Sequence, residues 1–173
     1  MSPAPRYFEV WDDGLWVRQT APIMKQIAMR YGVWLFFGLT GFFLLMHLFQ
    51  LSERFYLRIF NGAIHLGILW LALRAWIRDH HDGAADITSG VGVGMLTSSI
   101  GVIPFTFFMA IFLEFNPDIL SAIKGHASMG AYLTPITACF FIVVEAIVIS
   151  LIGSYIMLRI LSNMREKVQA NRS

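Results

Sequence analysis

Four long apolar stretches constrain the fold of this chain more than any other feature: residues 31–51, 56–77, 90–113 and 131–158. A helix that crosses a bilayer needs about 20 mostly apolar residues, and each stretch reaches that length. Backbone N–H and C=O groups find no water in lipid, and a helix satisfies them within one segment. We therefore predict an all-α integral membrane protein whose four-transmembrane-helix bundle occupies residues 31–161.

The composition supports this class and excludes others. Of the 173 residues, 57% are hydrophobic and 14% are charged. A soluble domain is about 45–50% apolar and about 25% charged, and one of this length cannot hide so much apolar surface in a single core. Ordinary cytosolic enzymes and disordered tails are therefore excluded, and we expect a lipid bilayer and no nucleic acid as partner. The single cysteine, Cys139, is interpreted as a small buried hydrophobic residue.

The basic residues predict the orientation. With the N-terminus inside, ten of the 13 lysines and arginines fall on the inner side and three on the outer side. Cytoplasmic loops of membrane proteins carry the excess of Lys and Arg. We predict a multi-pass protein of the bacterial inner (cytoplasmic) membrane with both termini in the cytoplasm. Residues 162–173 are then a polar cytoplasmic tail.

The segment before the first stretch is rich in aromatic residues. Tyr7, Phe8, Trp11 and Trp16 are of the kind that is enriched at the membrane–water boundary. We predict that residues 1–30 form an amphipathic interfacial segment, which continues as a helix into the first span. Its aromatic side chains either anchor the chain at the bilayer surface or form a docking surface for another protein.

Among the polar side chains inside the apolar stretches, four form a candidate site: Glu145, His65, Asn61 and His47. An ionisable group within a span costs several kcal/mol and marks a functional site by default. The polar stripes that contain these residues are concentrated in the predicted outer half. They predict a polar pocket open to the outer face, with Glu145 at its floor and tied to His65. The alternative is a set of interhelical hydrogen bonds with a structural role, each worth about 0.6 kcal/mol.

The histidines also raise the question of a cofactor. Ligation of one haem by His47 and His65 needs both rings at one height, and their predicted offset of roughly 8 Å disfavours it. The loop run at residues 79–82, Asp-His-His-Asp, is interpreted as solvated, because adjacent histidines on a short loop seldom converge on a metal. We predict no cofactor and no metal.

The third stretch carries small residues at helix-packing spacing. Gly90, Gly94 and Ser98 recur every four residues, and Gly101 continues near the same stripe. Such spacing lets two helix backbones approach closely in lipid. The stripe either seats the third span within its own bundle or forms an interface between copies. Pro104, which lacks an N–H, is expected to kink this helix.

Several local patterns carry a resemblance to a known family. They are KQIAMRYGVWLFFGL at the first span, FNGAIHLGILWLALRAWIRD across the second, and SGVGVGMLTSSIGV with a later NPD around the third. The stretch from Met24 to about Asn116 resembles a family of small four-span bacterial membrane proteins of unknown function, common in Bacteroidetes. The resemblance implies a helical bundle and carries no established activity or site residue.

No motif of a soluble enzyme is present, since the glycines of GVGVG lie in a span without the strand–turn–helix context of a phosphate loop. We therefore predict a non-enzymatic multi-pass membrane protein, an accessory or scaffolding subunit of a larger membrane complex. Its partners are then other membrane subunits or further copies of itself. The alternative is a small oligomeric ion- or proton-coupled transporter that uses the outward-facing pocket with Glu145.

Overall fold

The computed structural model describes residues 15–49, 58–79, 87–126 and 134–170, and the structural statements below concern these residues. They form five helices, with a turn residue after the first and single non-helical residues before the fourth and the fifth. The helices are α1 (Leu15–Leu48), α2 (Arg58–Asp79), α3 (Ile87–Phe115), α4 (Pro117–His126) and α5 (Pro135–Ala170).

Four of the five helices are long and apolar enough to cross a membrane, which confirms the prediction of four spans in an all-helical chain. Their apolar parts are Ile23–Leu48, Ile59–Asp79, Ile87–Phe115 and Pro135–Met164. The short helix α4 joins the third of these helices to the segment that precedes the fourth. The chain is therefore a multi-pass membrane protein.

The first helix begins earlier than the apolar stretch at residues 31–51 predicts. Lys25 and Arg30 interrupt the apolar run, but both side chains are exposed, whereas Ile27 and Ala28 between them are buried. An amphipathic turn of this kind continues a helix that packs on one side only. At the other end of the chain, α5 likewise continues as a helix to Ala170, through most of the predicted tail.

Contacts between the helices define their directions. A Cβ added at Gly101 of α3 would lie 2.7 Å from Leu35 Cβ of α1, and one added at Gly32 of α1 would lie 2.7 Å from Ile100 of α3. The order of these contacts shows that α1 and α3 run in the same direction. Helix α5 runs in the opposite direction, because Gly90, early in α3, faces Leu158 of α5.

Helix α2 is antiparallel to α1 and contacts α1, α3 and α5. Gly38 of α1 faces Ile64 and Ile68 of α2, while Ile27 packs with Trp76 near the other end of the pair. We call basal the end of the bundle at which α1 and α3 begin and α2 and α5 end, and apical the opposite end. Helices α2 and α3 each pack against the other three spans, and the most extensive contacts are those of α3 with α1 and α5.

The core consists of three clusters along the bundle. The apical cluster, supplied by α1, α3 and α5, contains Leu35, Leu39, Val102, Phe105, Met109, Leu113, Cys139 and Ala146. Cys139 is buried, as the interpretation as a hydrophobic core residue requires. Helix α4 closes the apical end by packing Ile119 and Leu120 against this cluster. Two smaller basal clusters are centred on Trp76 and on Leu158.

Candidate functional site

The polar centre of the bundle is a hydrogen bond between α2 and α3. His65 Nε2 lies 2.7 Å from Ser98 Oγ, and both side chains are buried. His65 lies on the side of α2 that faces α3. Its partner Ser98 belongs to the small-residue stripe of α3. Because a buried polar group without a partner costs free energy, this contact fixes the rotation of α2 relative to α3.

The small-residue stripe of α3 is used inside the chain. Gly90, Gly94, Ser98 and Gly101 are all buried. A Cβ added at Gly90 would lie 2.7 Å from the end of the Leu158 side chain, and one at Gly94 would collide with Ser154 Oγ. The stripe therefore faces α5, α2 and α1 of the same chain, which is the geometry of the first of the two roles considered for it.

A second polar row faces the stripe from α5, and sequence reasoning missed it. Ser150 donates its hydroxyl to the backbone oxygen of Ala146. Ser154 is fully buried, and its Oγ has no hydrogen-bond partner among the described residues. The signal was available, because Ala146, Ser150 and Ser154 repeat every four residues in α5 as the stripe does in α3. Two matched rows of small residues thus bring α3 and α5 together.

Thr97, next to Ser98, is also buried, and it donates its hydroxyl to the backbone oxygen of Val93 at 2.8 Å. Thr106 donates in the same way to Val102 at 2.8 Å, and Cys139 Sγ of α5 donates to the Thr106 oxygen at 3.4 Å. These contacts flank Pro104, at which α3 continues without ending. Because these hydroxyls donate within their own helix, they keep no donor for a ligand.

Glu145 lies on a different surface from His65. Its side chain is exposed, whereas the next residue, Ala146, is 7% exposed and faces the core. Gly153 of α5 faces Leu66 of α2, which fixes the relative height of the two helices. Glu145 therefore lies about 10 Å from the level of His65 along the bundle. The structure does not bring these two residues into one pocket.

The other two predicted polar residues lie in the apical half. The ring of His47 is half-buried and packs edge-on against Phe112, with ring centroids 5.0 Å apart. Asn61 is half-buried, and its Oδ1 has no hydrogen-bond partner among the described residues. Gly38 of α1 faces the turn of α2 that contains His65, and His47 lies nine residues further along α1. His47 is therefore about 13 Å from the level of His65. The two histidine rings are therefore not placed to share a ligand.

Part of the predicted set falls outside the described residues. This is true of Tyr7, Phe8 and Trp11, while Trp16 lies in the first turn of α1. Of the loop run at residues 79–82, Asp79 alone is described, and it contacts Arg78 with Nε and Oδ1 3.6 Å apart. Both side chains of this ion pair are substantially exposed, and such pairs contribute little to stability.

Comparison with known proteins places the chain beside a family of unknown function. A family model described as "Protein of unknown function (DUF2626)" matches residues 6–73, which include α1 and α2 as far as Leu73. Over this segment the chain is similar to that family. No curated protein and no solved structure matches the chain. The expectation of an unknown-function membrane family is supported in this general form, and its Bacteroidetes affiliation stays a prediction.

Proposed function

We propose that this chain is a non-enzymatic accessory subunit of a larger membrane complex and that it holds a partner subunit at the basal end. The observation that supports this proposal is that α1 and α5 both continue as helices at that end beyond the level at which α2 ends and α3 begins. In proteins, most of the stability of a helix comes from packing of its amphipathic face on another element. Each projecting helix end therefore offers a surface on which such packing can occur.

The projection of α1 is measured from its contact with α3. Met24 packs against Gly92, since a Cβ added at this glycine would lie 3.5 Å from Met24 Cε. Leu15, the first residue of α1, lies about 14 Å beyond Met24 along the helix. By contrast, α3 begins at Ile87, which is only about 8 Å beyond Gly92.

Helix α5 projects in the same direction and farther than α1. Leu158 packs against Gly90 near the start of α3. Helix α5 then continues for about 18 Å to Ala170. Its projecting part is charged and carries the exposed side chain of Lys167. The first and last helices of the chain therefore both project at the basal end.

The charges of the described residues support a cytoplasmic position for the basal end. The exposed basic side chains there are Lys25, Arg30, Arg74, Arg78, Arg159 and Lys167. The exposed charged side chains in the apical half are Glu114, Asp118, Lys124 and Glu145. Under the positive-inside rule this distribution favours a bacterial inner-membrane protein with both termini in the cytoplasm.

The proposal is tested by native mass spectrometry of the tagged chain, purified in a gentle detergent from its native membranes. The full chain is expected to retain a partner at fixed stoichiometry. Truncation after Met164 removes the projection of α5 and is expected to release the partner while the bundle keeps its unfolding temperature. The matched control is Phe107→Ala, which changes a side chain that is 68% exposed on α3, and which should keep the partner.

Two results would contradict the accessory role. The first is a full chain that is recovered alone or only as copies of itself. The second is a truncated chain that keeps its partner at the same stoichiometry as the full chain. The absorbance spectrum of the same fraction also tests the expectation that the chain has no cofactor.

The transporter alternative depends on Glu145, an exposed carboxyl side chain within the apolar part of α5. Ionisable residues in spans commonly mark ion or proton pathways. Reconstitution of the chain in vesicles and measurement of proton or cation flux test this function. A flux that Glu145→Gln abolishes while the unfolding temperature is kept would favour transport over the accessory role.

A further inference from the structure

The outer side of α1 carries a stripe of exposed residues whose character changes along the helix. Arg30, Trp34, Phe37 and Gly41 follow one another at spacings of four, three and four residues, which places them on one face. Trp34 is 65% exposed and Phe37 is 63% exposed. From the basal end the stripe therefore presents a cation, two aromatic rings and then a position without a side chain.

The neighbouring helix α2 carries a stripe in the same order. Arg78, Arg74, Leu71, Gly67 and Ala63 lie at helical spacing, and all five are exposed. Because α2 runs opposite to α1, its arginines also lie at the basal end. An aliphatic side chain and then two small residues follow toward the apical end.

The contacts of α1 and α2 place the two stripes side by side. Gly38 faces Ile68, and Ile27 packs with Trp76, so Arg30 lies level with the turn of α2 that contains Arg74. Helix α3 occupies the opposite side of the pair. The two stripes therefore border one outward-facing groove, which we call the α1–α2 groove.

The glycines keep this groove open. A Cβ added at Gly41 or at Gly67 would meet no heavy atom within 4 Å, so both positions border open space. Along the bundle, Trp34 and Leu71 lie between the glycines and the arginines. The groove is therefore charged at its basal end and apolar along the rest of its length.

We propose that the α1–α2 groove binds one anionic phospholipid of the basal leaflet. Arg30, Arg74 and Arg78 hold the phosphate, and an acyl chain lies along the groove over Gly41 and Gly67. The guanidinium group is planar and presents paired donors that match phosphate oxygens. Basic pockets between transmembrane helices on the cytoplasmic side bind acidic lipid headgroups in this way.

The positive-inside rule alone does not give this arrangement. Lys25, Arg159 and Lys167 are also basic, exposed and basal, but they lie outside the two stripes. What distinguishes the three arginines is that they lie on the two stripes that border one groove with an open apolar floor. Asp79 offsets part of the charge of Arg78 through a contact of 3.6 Å, which is exposed and weak.

Native mass spectrometry of the purified full chain in mild detergent tests the site, with dioleoyl phosphatidylglycerol and dioleoyl phosphatidylcholine as probes. The expected result is one retained phosphatidylglycerol per chain, displaced poorly by phosphatidylcholine. Replacing Arg30, Arg74 and Arg78 by glutamine is expected to weaken phosphatidylglycerol binding by about 100-fold. The matched control replaces Lys25, Arg159 and Lys167 by glutamine, and its effect should stay below about threefold.

A second variant tests the apolar part of the groove without changing any charge. Gly67→Phe fills open space and is expected to lower phosphatidylglycerol binding by about tenfold, with the unfolding temperature unchanged. If the triple arginine variant does not fold, Arg74→Gln alone should weaken binding by about fivefold.

Three outcomes would overturn the proposal. Equal losses in the two triple variants would indicate a diffuse electrostatic attraction instead of a site. Inorganic phosphate that displaces phosphatidylglycerol at equal concentration would indicate a site for a free anion. Full phosphatidylglycerol binding by Gly67→Phe would show that no acyl chain occupies the groove.

Discussion

Two sets of glycines in the same bundle have opposite surroundings. Gly90, Gly94 and Gly101 on α3 are buried, and a Cβ added at Gly101 would lie 2.7 Å from Leu35 Cβ. Gly41 and Gly67 border the α1–α2 groove, where an added Cβ would meet no heavy atom within 4 Å. The first set lets helices approach one another, and the second leaves a surface open.

The difference shows what a glycine in a membrane span can do. Close approach of two backbones increases van der Waals contact between helices, which is a main source of stability where lipid replaces water. An exposed glycine contributes no such contact, but it allows a lipid chain to lie closer to the backbone. The neighbour decides which role applies, and the spacing of glycines along the sequence does not reveal the neighbour.

The largest expected effect comes from a side chain added to the buried set. Gly101→Leu forces four carbon atoms into the contact with Leu35 and should lower the free energy of unfolding by about 3 kcal/mol or more. Thermal or denaturant unfolding of the purified chain in detergent micelles measures this. The matched control is Gly41→Leu, which adds the same side chain in open space and should not lower the free energy of unfolding.

This pair of variants tests directly whether the surroundings of the two sets of glycines differ. Equal destabilisation by both substitutions would show that Gly41 is covered, either by lipid that the fold requires or by another subunit. If both substitutions leave the free energy of unfolding unchanged, α3 and α1 pack less closely at Gly101 than the structure shows.

The next effect concerns the hydrogen bond that lies beside the buried glycines. A double-mutant cycle of His65→Ala and Ser98→Ala should give a coupling free energy between about 0.6 and 1.7 kcal/mol. The matched cycle of His65→Ala with Glu145→Gln should give a coupling near zero, since the two residues differ by about 10 Å in height. Strong coupling in the second cycle would restore the pocket in which Glu145 is tied to His65.

Much of the fold could be predicted from the sequence because the bilayer imposes the rules. Apolar runs of sufficient length give four spans, and backbone satisfaction makes them helices. The repeat of Gly90, Gly94 and Ser98 predicts a face for close packing, which is where the structure has α3 meet its neighbours. These inferences need only the local pattern of one helix.

The partners of the polar residues could not be predicted, because they depend on how the helices are rotated and shifted relative to one another. On α5 the buried row contains Ala146, Ser150 and Ser154, whereas Glu145 is one position away and turned by about 100°. A rotation of that size decides whether a carboxyl group faces a pocket or the surface. Likewise, the spacing of Ser98 in the stripe indicates a small packing residue and does not reveal that its hydroxyl is the partner of His65.

A smaller effect is expected from Ser154, whose side chain is packed against the buried glycine set. Its Oγ is buried without a hydrogen-bond partner among the described residues, and it occupies the place of a Cβ on Gly94. Ser154→Ala removes this hydroxyl and should raise the free energy of unfolding by about 0.5 kcal/mol, because an unpaired buried hydroxyl is unfavourable. Ser150→Ala is the control, and it should not stabilise the chain, since that hydroxyl bonds to Ala146.

The smallest effect is expected at the exposed set of glycines. Gly67→Ala adds one methyl group in open space and removes the extra backbone freedom of glycine, which disfavours helix by about 0.5 kcal/mol or more. The free energy of unfolding should therefore rise slightly, whereas Gly94→Ala, which collides with Ser154, should lower it. Both substitutions add one methyl group to a span of the same bundle. If denaturant unfolding gives stability changes of opposite sign, the difference comes from the residues that surround each glycine. A loss of stability in Gly67→Ala would mean that a close partner covers this face.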